Sequence, residues 1–597
     1  MNPAEPLVNP NQDLLDKLRV NKESAFKFRR RRHGDWTTNY LLYRDKVMYN
    51  RLTQRQSVNI PLIKSSIQTL LKDVDDPPIL YFANLDNNDQ AEVYYNAYWD
   101  YVSKRNDLIL KDIMDKLQVM LYGRSYKFLN IIDGDFTHEV VDPQDVLIDR
   151  YVDPSDIDSA RFLIREHLYV PLASLKTNPI FDNAAVSRLQ DFLGSEAGLI
   201  KADQNQLDWV EKMKREAGLG VIDAFNPILG ETYVELNYFF IKEFNETLGE
   251  DELKIIITAE DMEVLYSNTL EGHIGETNDH FWRNHYPATS WGNQTERTDW
   301  YSDGVADSLR TPNQILNTMF SQMIENRILK NFNMTWFNSS LTDEGFLPQT
   351  FDPIPGGWYP IPVPEGQKMG DVLMPVAVGD LQDNIGEMNF ILQIAQQASA
   401  ATTFQQGVQP EGQQITLGEV QILLTQAQEK VKAMAVYYTA AWEDFGLKYT
   451  KMLDAGDDLI GETVIHKKGR LTKKNYSKTI TPKMWFSKQG YKVEVIMKQD
   501  MEAKTGDDLQ KLQYAKSLMP TNKKLDTVIK TKALEFADIN ATEMSEILKE
   551  DEQQTALMAN MQNNGMTPQP GQPTAPGQPA PMQPPTPQIP GQLGAPA

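Results

Sequence analysis

The spacing of hydrophobic side chains predicts a mixture of helices and strands in the first half of the chain. Apolar residues recur at steps of three and four between Asp89 and Leu121, which predicts one amphipathic helix. Short strands are predicted at Tyr126–Ile132 and Val146–Asp149, and alternation over residues 232–268 predicts antiparallel strands. Residues 171–220 are predicted to be helical and are interpreted as an insertion. The first helix should bury an apolar face made of Val93, Tyr94, Ala97, Tyr101, Leu108, Ile109, Ile113, Leu117 and Met120.

Three further helices are predicted in the middle of the chain, each with a start signal. Thr311-Pro-Asn-Gln314 is a capping box with proline at the first helical position, and its helix should end near Asn331. A second helix should run from Asp380, which can cap it, to about Thr402. Thr416-Leu-Gly-Glu419 is another capping box, and the helix after it should reach Leu453. At 1.5 Å per residue the last helix is roughly 57 Å long, which is typical of a helix that braces a larger assembly.

The segments between these helices have a different composition. Residues 332–379 contain seven prolines, so they are predicted to form a small β-rich module at the end of a helical hairpin. Residues 403–415 contain two glycines and a proline and are predicted to form a flexible loop. The module is also rich in aromatic residues, which are Trp336, Phe337, Phe346, Phe351, Trp358 and Tyr359.

The C-terminal part of the chain is predicted to change from strands to helix and then to disorder. Residues 462–500 have the pattern of strands, and residues 501–552 have the pattern of helices. From Gln553 to Ala597 the chain has eleven prolines, nine glutamines and no charged residue. Such a segment buries too little apolar surface to offset its chain entropy, so we expect it to be disordered.

Composition narrows the classes of function. The chain has 597 residues, and a chain of this length is expected to form about four structural units. It has 82 acidic and 59 basic residues and a net charge of −23, which argues against tight binding of nucleic acid or anionic membranes. There is no cysteine, which excludes disulfides and thiolate chemistry. With no secretion signal and no apolar run near the ~20 residues of a membrane span, we expect a soluble protein that is intracellular when it is made.

The charges are unevenly distributed. Between Asn331 and Glu429 the chain has eleven acidic residues and a single cation, Lys368. Two basic patches stand apart from the acidic background, one from Lys17 to Arg32 and one within residues 467–498. The patches are candidates for contact with a nucleic-acid backbone. We favour the alternative, in which they pair with acidic surface on the same or a neighbouring subunit.

The sequence contains no motif that indicates a reaction centre. A phosphate-binding Gly-x-x-x-x-Gly-Lys loop and a His-Glu-x-x-His pair are both absent, and Gly194-Ser-Glu-Ala-Gly198 has its serine one place too early for a nucleophile elbow. Asp86-Asn-Asn-Asp89 lacks the EF-hand spacing, so a turn or cap is favoured over calcium. His273, His280 and His285 are spaced loosely, and ordinary surface or core positions are favoured over a metal site. We therefore expect no enzymatic activity and no cofactor or metal.

An ordered set of segments resembles the portal proteins, the head-to-tail connectors of tailed bacteriophages. The predicted order of elements is helix, β-rich module, helix, loop and long helix. In that family the same order is formed by the stem, the clip, the second stem helix, the tunnel loop and a kinked long helix. The resemblance covers about residues 20–550. The shorter segments that match are Tyr122-Gly-Arg-Ser-Tyr126, Val141–Asp149, Asp156–Phe162, His285-Tyr-Pro287, Gly304–Arg310 and Gln314-Ile-Leu-Asn317.

The resemblance implies an α+β subunit of a dodecameric ring at one capsid vertex. Double-stranded DNA would be pumped through the ring, and the clip would dock the terminase large subunit and later a head-tail adaptor protein. The major capsid protein and a scaffolding protein are further implied partners. The implied segments are the wing (1–302, with a β part at 456–505), stem helix 1 (303–331), the clip (332–379), stem helix 2 (380–402), the tunnel loop (403–415), the long wing helix (416–455), a helical crown (506–556) and a disordered tail (557–597).

Site residues follow from the same resemblance by position. The tunnel loop would line the channel with Phe404, Gln405, Gln406, Gln409 and Gln413. The acidic channel lining would be Asp380, Asp383 and Glu387, and the clip would dock partners through Trp336, Phe346, Phe351, Trp358 and Tyr359. The basic patches, rather than the resemblance, make Arg29, Arg30, Arg31, Arg32, Lys473 and Lys474 candidates for brief contact with phosphate. The alternatives are another virion structural protein, such as a tail adaptor, and an acidic intracellular hydrolase.

Overall fold

A computed structural model describes most of the first 496 residues. The described ranges are 11–45, 59–73, 78–86, 88–132, 134–193, 233–293, 299–331, 335–338, 358–361, 374–375, 384–399, 417–456, 459–468 and 475–496, with residues 514, 516, 529 and 530. The chain divides into two compact units, residues 1–466 with 477–508, and residues 467–476 with 509–597. Most of the described residues belong to the first unit.

Helices and sheets are mixed throughout the described residues, as the α+β class requires. The helices are α1 (Gln12–Tyr43), α2 (Leu62–Asp73), α3 (Asp89–Arg105), α4 (Leu108–Tyr122), α5 (Leu172–Thr177), α6 (Asn183–Leu193), α7 (Leu270–Ile274), α8 (Val305–Asn331), α9 (Asn384–Ser399) and α10 (Leu417–Ala455). The strands are β1 (Ile79–Asn84), β2 (Arg124–Ile132), β3 (Asp135–Val141), β4 (Val146–Ile148), β5 (Phe162–Pro171), β6 (Tyr233–Asn245), β7 (Glu250–Ala259), β8 (Glu263–Thr269), β9 (Ala288–Gly292), β10 (Thr335–Asn338), β11 (Trp358–Ile361), β12 (Met374–Pro375), β13 (Thr463–Lys468), β14 (Asn475–Ile480) and β15 (Tyr491–Ile496).

The strands form several small sheets. The largest described sheet has the order β4-β5-β6-β7-β8, and every pairing in it is antiparallel. A second sheet has the order β3-β2-β9, and β1 pairs with β15 in a sheet of two strands. β13 pairs with β14, and β10 lies between β11 and β12. The predicted strands at 126–132, 146–149 and 232–268 are therefore confirmed to within a few residues.

The long helix α10 lies against the first unit's core. Its apolar residues recur at helical spacing, and from Met434 to Leu453 one face is buried and contacts both α3 and the β2–β3 hairpin. Tyr449, for example, packs edge-on against Phe136 of β3, with ring centroids 4.7 Å apart. The prediction of a helix reaching about Leu453 is confirmed, because α10 ends at Ala455. The buried side chains of this face include Tyr438, Trp442, Phe445, Tyr449 and Met452.

The single helix predicted between Asp89 and Leu121 is wrong, because the structure divides it into α3 and α4. Asp107, between them, has a left-handed backbone with φ of 49°, and the Asn106 side chain donates to the Phe136 carbonyl of β3. These local interactions end one helix and reorient the next. The predicted apolar face is also wrong in part, since Val93, Ile109 and Ile113 are exposed.

The capping-box prediction at residue 311 is wrong as well. Helix α8 begins at Val305, so Pro312 lies inside the helix. The true start is fixed by Asp307, whose carboxylate accepts from the Gly304 N–H at 2.9 Å and so caps the first turn from within. Because proline has no N–H, it leaves the Ser308 carbonyl without its usual helical donor. The predicted end at Asn331 is confirmed.

Other predictions fall partly or wholly outside the described residues. Helices α5 and α6 confirm the helical prediction up to residue 193, and α9 covers most of the predicted second stem helix. Strands β13 to β15 confirm strands within residues 462–500. The helix predicted over 501–552 and the disorder predicted from Gln553 onward lie outside the described ranges, apart from four residues. In the described part, none of the helices is long and apolar enough to span a membrane.

Candidate channel-lining and docking segments

Three short strands form the described part of the predicted clip. β10 pairs in parallel with β11 and antiparallel with β12, so the segment is β-rich where it is described. The register places Trp336 opposite Tyr359, and Thr335 opposite Trp358. Three of the five predicted docking aromatics are thus on two neighbouring strands. Phe346 and Phe351 lie outside the described residues.

The two predicted stem helices, α8 and α9, pack against each other. From α9, Met388, Ile391 and Leu392 are half-buried against the core, and Ala395 is fully buried. The helix has no cation in its sequence and one acid, Glu387, which is exposed. Glu387 of the predicted acidic lining is therefore solvent-accessible, whereas Asp380 and Asp383 lie outside the described residues. The whole predicted tunnel loop also lies outside them, with its residues Phe404, Gln405, Gln406, Gln409 and Gln413.

The prediction that Arg29 contacts phosphate is wrong, because its side chain is buried within the chain. Its Nη2 lies 3.1 Å from Glu166 Oε2, and Nη1 donates to the Val146 carbonyl at 3.3 Å. Burial by itself would raise the pKa of the Glu166 carboxyl, but Arg29 and Lys22 beside it lower that pKa overall. Arg29 therefore fixes α1 against the largest sheet.

The other arginines of the patch differ from one another. Arg31 Nη2 lies 3.2 Å from Asp299 Oδ1, and Arg32 pairs with two acids just before and within α8. The sequence favoured pairing of this basic patch with acidic side chains over contact with nucleic acid. That pairing is confirmed within the same chain for Arg29, Arg31 and Arg32. Arg30 is exposed and has no ion-pair partner in the described part of the chain, so its contact with phosphate stays a prediction. Lys473 and Lys474 lie outside the described residues.

Asp307 holds the first turn of α8 to α1. Its Oδ2 lies 2.8 Å from Arg32 Nη2, and its Oδ1 accepts from Asn39 Nδ2 at 2.9 Å. Arg310 lies 3.4 Å from the same carboxylate and 2.6 Å from Asp35 Oδ1. Burial works to lower the pKa of Arg32, but Asp307 and the other acids raise it overall, which favours the charged form. The carboxylate is nearly buried, so this junction is a structural ion network.

Replacing Asp307 with alanine should lower the free energy of unfolding by about 3 kcal/mol, because Arg32 and Arg310 lose a buried partner and α8 loses its cap. The matched control is Asp303→Ala, which removes an exposed partner of the same arginine, Arg32, at 2.8 Å. That control should cost less than about 1 kcal/mol, as exposed pairs do. Guanidinium titration of both variants measures the difference. Equal losses would contradict the assignment of Asp307 as the anchor of α8.

The segment Tyr122-Gly-Arg-Ser-Tyr126 contacts the chain just before α8. Gly123 has φ of +85°, and its carbonyl accepts from Ser302 Oγ at 2.6 Å. The Arg124 guanidinium lies 3.7 Å from the ring centroid of Trp300, a cation–π contact. Burial lowers the pKa of Arg124 to about 10, so the group stays charged at neutral pH. Two of the segments that carry the resemblance, this one and Gly304–Arg310, are therefore adjacent in space.

Two more of those segments meet on the long helix α10. Lys448 is fully buried, and its Nζ lies 2.8 Å from Asp158 Oδ2 and 3.1 Å from Asp444 Oδ2. It also donates to the Ala288 carbonyl at 2.8 Å. Asp158 Oδ1 accepts from the Tyr286 N–H at 2.7 Å, so the segments 156–162 and 285–287 share one carboxylate. Burial works to lower the pKa of Lys448, but the two acids raise it overall.

A second buried ion network joins α4, β2 and α10. Lys116 Nζ lies 2.6 Å from Asp112 Oδ2, and Lys127 Nζ lies 2.8 Å from Asp115 Oδ2. Lys127 Nζ also lies 4.0 Å from the ring centroid of Trp442 on α10. This network could not be predicted from the sequence, because acids and lysines on an amphipathic helix ordinarily face solvent. Burial raises the pKa of Asp112, and each carboxylate has a lysine partner that is also buried.

The histidines and the Asp86 turn have structural roles. His273 Nδ1 lies 3.0 Å from the Tyr266 hydroxyl, and His285 stacks on Phe281 with ring centroids 3.9 Å apart. His280 pairs with Glu271, and no group of three or more metal-ligating side chains occurs in the part of the chain that the structure describes. Asp86 accepts from Ser487 Oγ at 2.8 Å. The Asn88 side chain accepts from the Ala91 N–H at 3.2 Å and caps α3, which confirms the interpretation of this segment as a helix cap.

The described segments that resemble portal proteins therefore act as junctions. The first turn of α8 is fixed to α1 by the ion pairs of Asp307 and lies against the tight turn at Gly123. The C-terminal half of α10 is fixed by Lys448 to the segments around Asp158 and Ala288. No family model matches the chain, and a comparison with curated proteins likewise finds no match.

Proposed function

We propose that this chain is the subunit of a bacteriophage portal, a ring through which double-stranded DNA is packaged into the capsid and later ejected. The observation that carries the proposal is the order of elements from α8 to α10. A helix of 27 residues, a three-stranded sheet, a helix of 16 residues and a helix of 39 residues follow one another. This order is the one expected for stem, clip, stem and long wing helix.

The junctions support this proposal because a portal transmits force between DNA, capsid and motor. Asp307 ties α8 to α1, and Lys448 ties α10 to the segments around Asp158 and Ala288. Buried ion pairs with good geometry fix one arrangement, since the penalty for separating the charges is large. Stem and long helix would then move with the wing as rigid elements.

The charge pattern supports a passage in which DNA slides. Between Asn331 and Glu429 one cation, Lys368, accompanies eleven acids, and α9 has only the exposed Glu387. Acidic walls repel phosphate, whereas each bound lysine would replace counterions and hold the DNA backbone. A loop of glutamine amides offers weak and exchangeable hydrogen bonds. We therefore assign the acidic segment and the uncharged loop to a low-friction channel.

The partners follow from the same proposal. The aromatics on β10 and β11 are assigned to docking of the terminase large subunit during packaging and of a head-tail adaptor protein afterwards, because aromatic anchors dominate many interfaces. The wing would contact the major capsid protein and a scaffolding protein. The protein would be located at the portal vertex of the virion, and chemistry on DNA would belong to the terminase.

Negative-stain imaging of the purified full chain tests the proposal. Rings with a central hole and twelve-fold symmetry are expected. Monomers at all concentrations, or long open tubes, would contradict a portal, because a portal interface has to close on itself.

The channel chemistry makes a separate prediction. The double variant Gln405→Lys/Gln409→Lys should slow DNA packaging about tenfold or more, because lysines in every subunit would bind passing phosphates. The matched control is Gln405→Asn/Gln409→Asn, which keeps the amides and should package normally. The rate of DNA uptake by assembled capsids is the measurement. Normal genome filling by the lysine variant would contradict the low-friction channel while leaving the ring itself unaffected.

A further inference from the structure

The first half of helix α4 is amphipathic in the reverse sense, whereas its second half buries apolar residues such as Val119 and Met120. Its outward face carries Ile109, Leu110, Ile113 and Met114, which are 60%, 62%, 37% and 59% exposed. Its inward face carries two acids and a lysine that are almost completely buried, which are Asp112, Asp115 and Lys116. A surface helix of a soluble chain ordinarily has the opposite arrangement.

The inward charges are accounted for within the chain. Asp112 pairs with Lys116, and Asp115 pairs with Lys127 of β2 and accepts from the Trp291 indole at 2.8 Å. The orientation of α4 is therefore fixed by buried partners, and its apolar face cannot turn inward. Contiguous exposed apolar side chains of this kind mark a surface that another protein covers.

A second exposed apolar site lies at the end of the β6–β7 hairpin. The pairing of β5 with β6 ends at Ile241, and the pairing of β8 with β7 ends at Lys254. Beyond these two residues, β6 and β7 pair only with each other. Phe244 and Leu248 at this end are 64% and 45% exposed. Glu246 and Glu250 beside them are exposed and have no ion-pair partner among the residues that the structure describes. We call residues 242–253 the hairpin end.

The two surfaces are complementary in charge. Lys104 and Arg105 are exposed immediately before α4, although Arg105 also pairs with Asp135, and the exposed Asp107 adds one negative charge to this edge. Lys111 within the helix is half-buried and donates to the His138 carbonyl. The hairpin end is acidic, with five acids and one lysine. Both surfaces stay exposed within one chain, so they do not cover each other. Each subunit thus has one basic-edged apolar face and one acidic apolar projection. Such a pair suits a heterologous contact, in which each copy uses different surfaces toward its two neighbours.

We propose that the outward face of α4 receives the hairpin end of a second copy of this chain, with Phe244 and Leu248 packed against Ile109 and Leu110. This inference rests on the proposed ring and identifies the contact that joins its subunits. Repeated from copy to copy, a heterologous contact closes a ring when the rotation per subunit is suitable.

The test uses two variants of the full chain, Ile109→Asp/Leu110→Asp and Phe244→Asp/Leu248→Asp, with native mass spectrometry as the readout. Each variant alone should lose the assembled species and remain monomeric. An equimolar mixture should form a 1:1 heterodimer that grows no further, because one chain keeps only the hairpin end and the other keeps only the α4 face. Val20→Asp, at a 67% exposed apolar position on α1, is the control and should assemble like the unsubstituted chain.

Two results would overturn the contact. If either double variant assembles like the unsubstituted chain, that surface does not lie between subunits. If both variants are monomeric but their mixture does not pair, the two surfaces do not meet each other. Circular dichroism identifies any variant that has unfolded, in which case Ile113→Asp and Phe244→Ser replace the doubles. If the unsubstituted chain forms rings but either of these results is obtained, only the proposed contact is contradicted and the proposed function is not. If the unsubstituted chain forms no rings, the proposed function itself is contradicted.

Discussion

Replacing Gly123 with alanine should lower the free energy of unfolding by about 4 kcal/mol. A Cβ at this position would lie 1.8 Å from the Ser302 carbonyl oxygen and 2.7 Å from the carbon of that carbonyl. Both are backbone atoms, so the segment before α8 would have to move. A left-handed backbone adds about 1 to 2 kcal/mol for any residue with a side chain.

The chain provides a matched control for the backbone part of this effect. Gly490 has φ of +83°, close to the +85° of Gly123, but a Cβ there would meet nothing within 4 Å. Gly490→Ala should therefore cost about 1 kcal/mol, the conformational part alone. Chemical denaturation of the two variants separates strain from collision. Similar decreases in the free energy of unfolding at both positions would show that the segment around Ser302 moves easily to accommodate a Cβ. The start of α8 would then not be firmly held by this contact.

Replacing Lys448 with methionine should lower the free energy of unfolding by about 3 kcal/mol. The lysine is fully buried on α10, and its removal leaves Asp158 without its cation in a site where the Asp158 side chain is only 13% exposed. Methionine preserves most of the volume, so the loss reports the unpaired carboxylate and the lost hydrogen bond to the Ala288 carbonyl. Denaturant titration measures it.

Lys451→Met is the matched control for this substitution. Lys451 follows on the same helix and lies 2.7 Å from Asp279, but the two side chains are 26% and 52% exposed. An ion pair that water screens should contribute less than about 1 kcal/mol. If both methionine substitutions lower the free energy of unfolding by the same small amount, Lys448 does not anchor α10. The ion pairs of Lys448 would then not support the interpretation of α10 as a rigid brace.

Periodicity predicted the elements whose signal is long and uninterrupted. The apolar residues of α10 repeat at three- and four-residue steps over most of its length, so both its type and its end were predictable. Alternation likewise predicted the hairpin of β6 and β7. In these elements local pattern and tertiary packing agree, because the same face is apolar in sequence and buried in the fold.

Prediction failed where local geometry or long-range partners outweighed the pattern. The break between α3 and α4 depends on a left-handed Asp107 and on Asn106 bonding to β3, neither of which changes the apolar repeat. The start of α8 depends on Asp307 accepting from Gly304, and it lies before the capping box that the sequence displays. The arginine run from Arg29 to Arg32 has the composition of a phosphate-binding patch, yet Arg29 is buried against Glu166.

The sequence by itself determined the α+β class, the long helix, the β-rich module between two helices and the exclusion of cations from residues 331–429. These properties are local, since each depends on the spacing or type of nearby residues. Tertiary structure alone decided which charges are buried and which apolar faces are left uncovered. Asp115 of α4 pairs with Lys127 of β2, and that pairing turns Ile109 and Leu110 outward. A charged side chain faces inward only when the fold brings its partner to it, and no pattern within one helix contains that information.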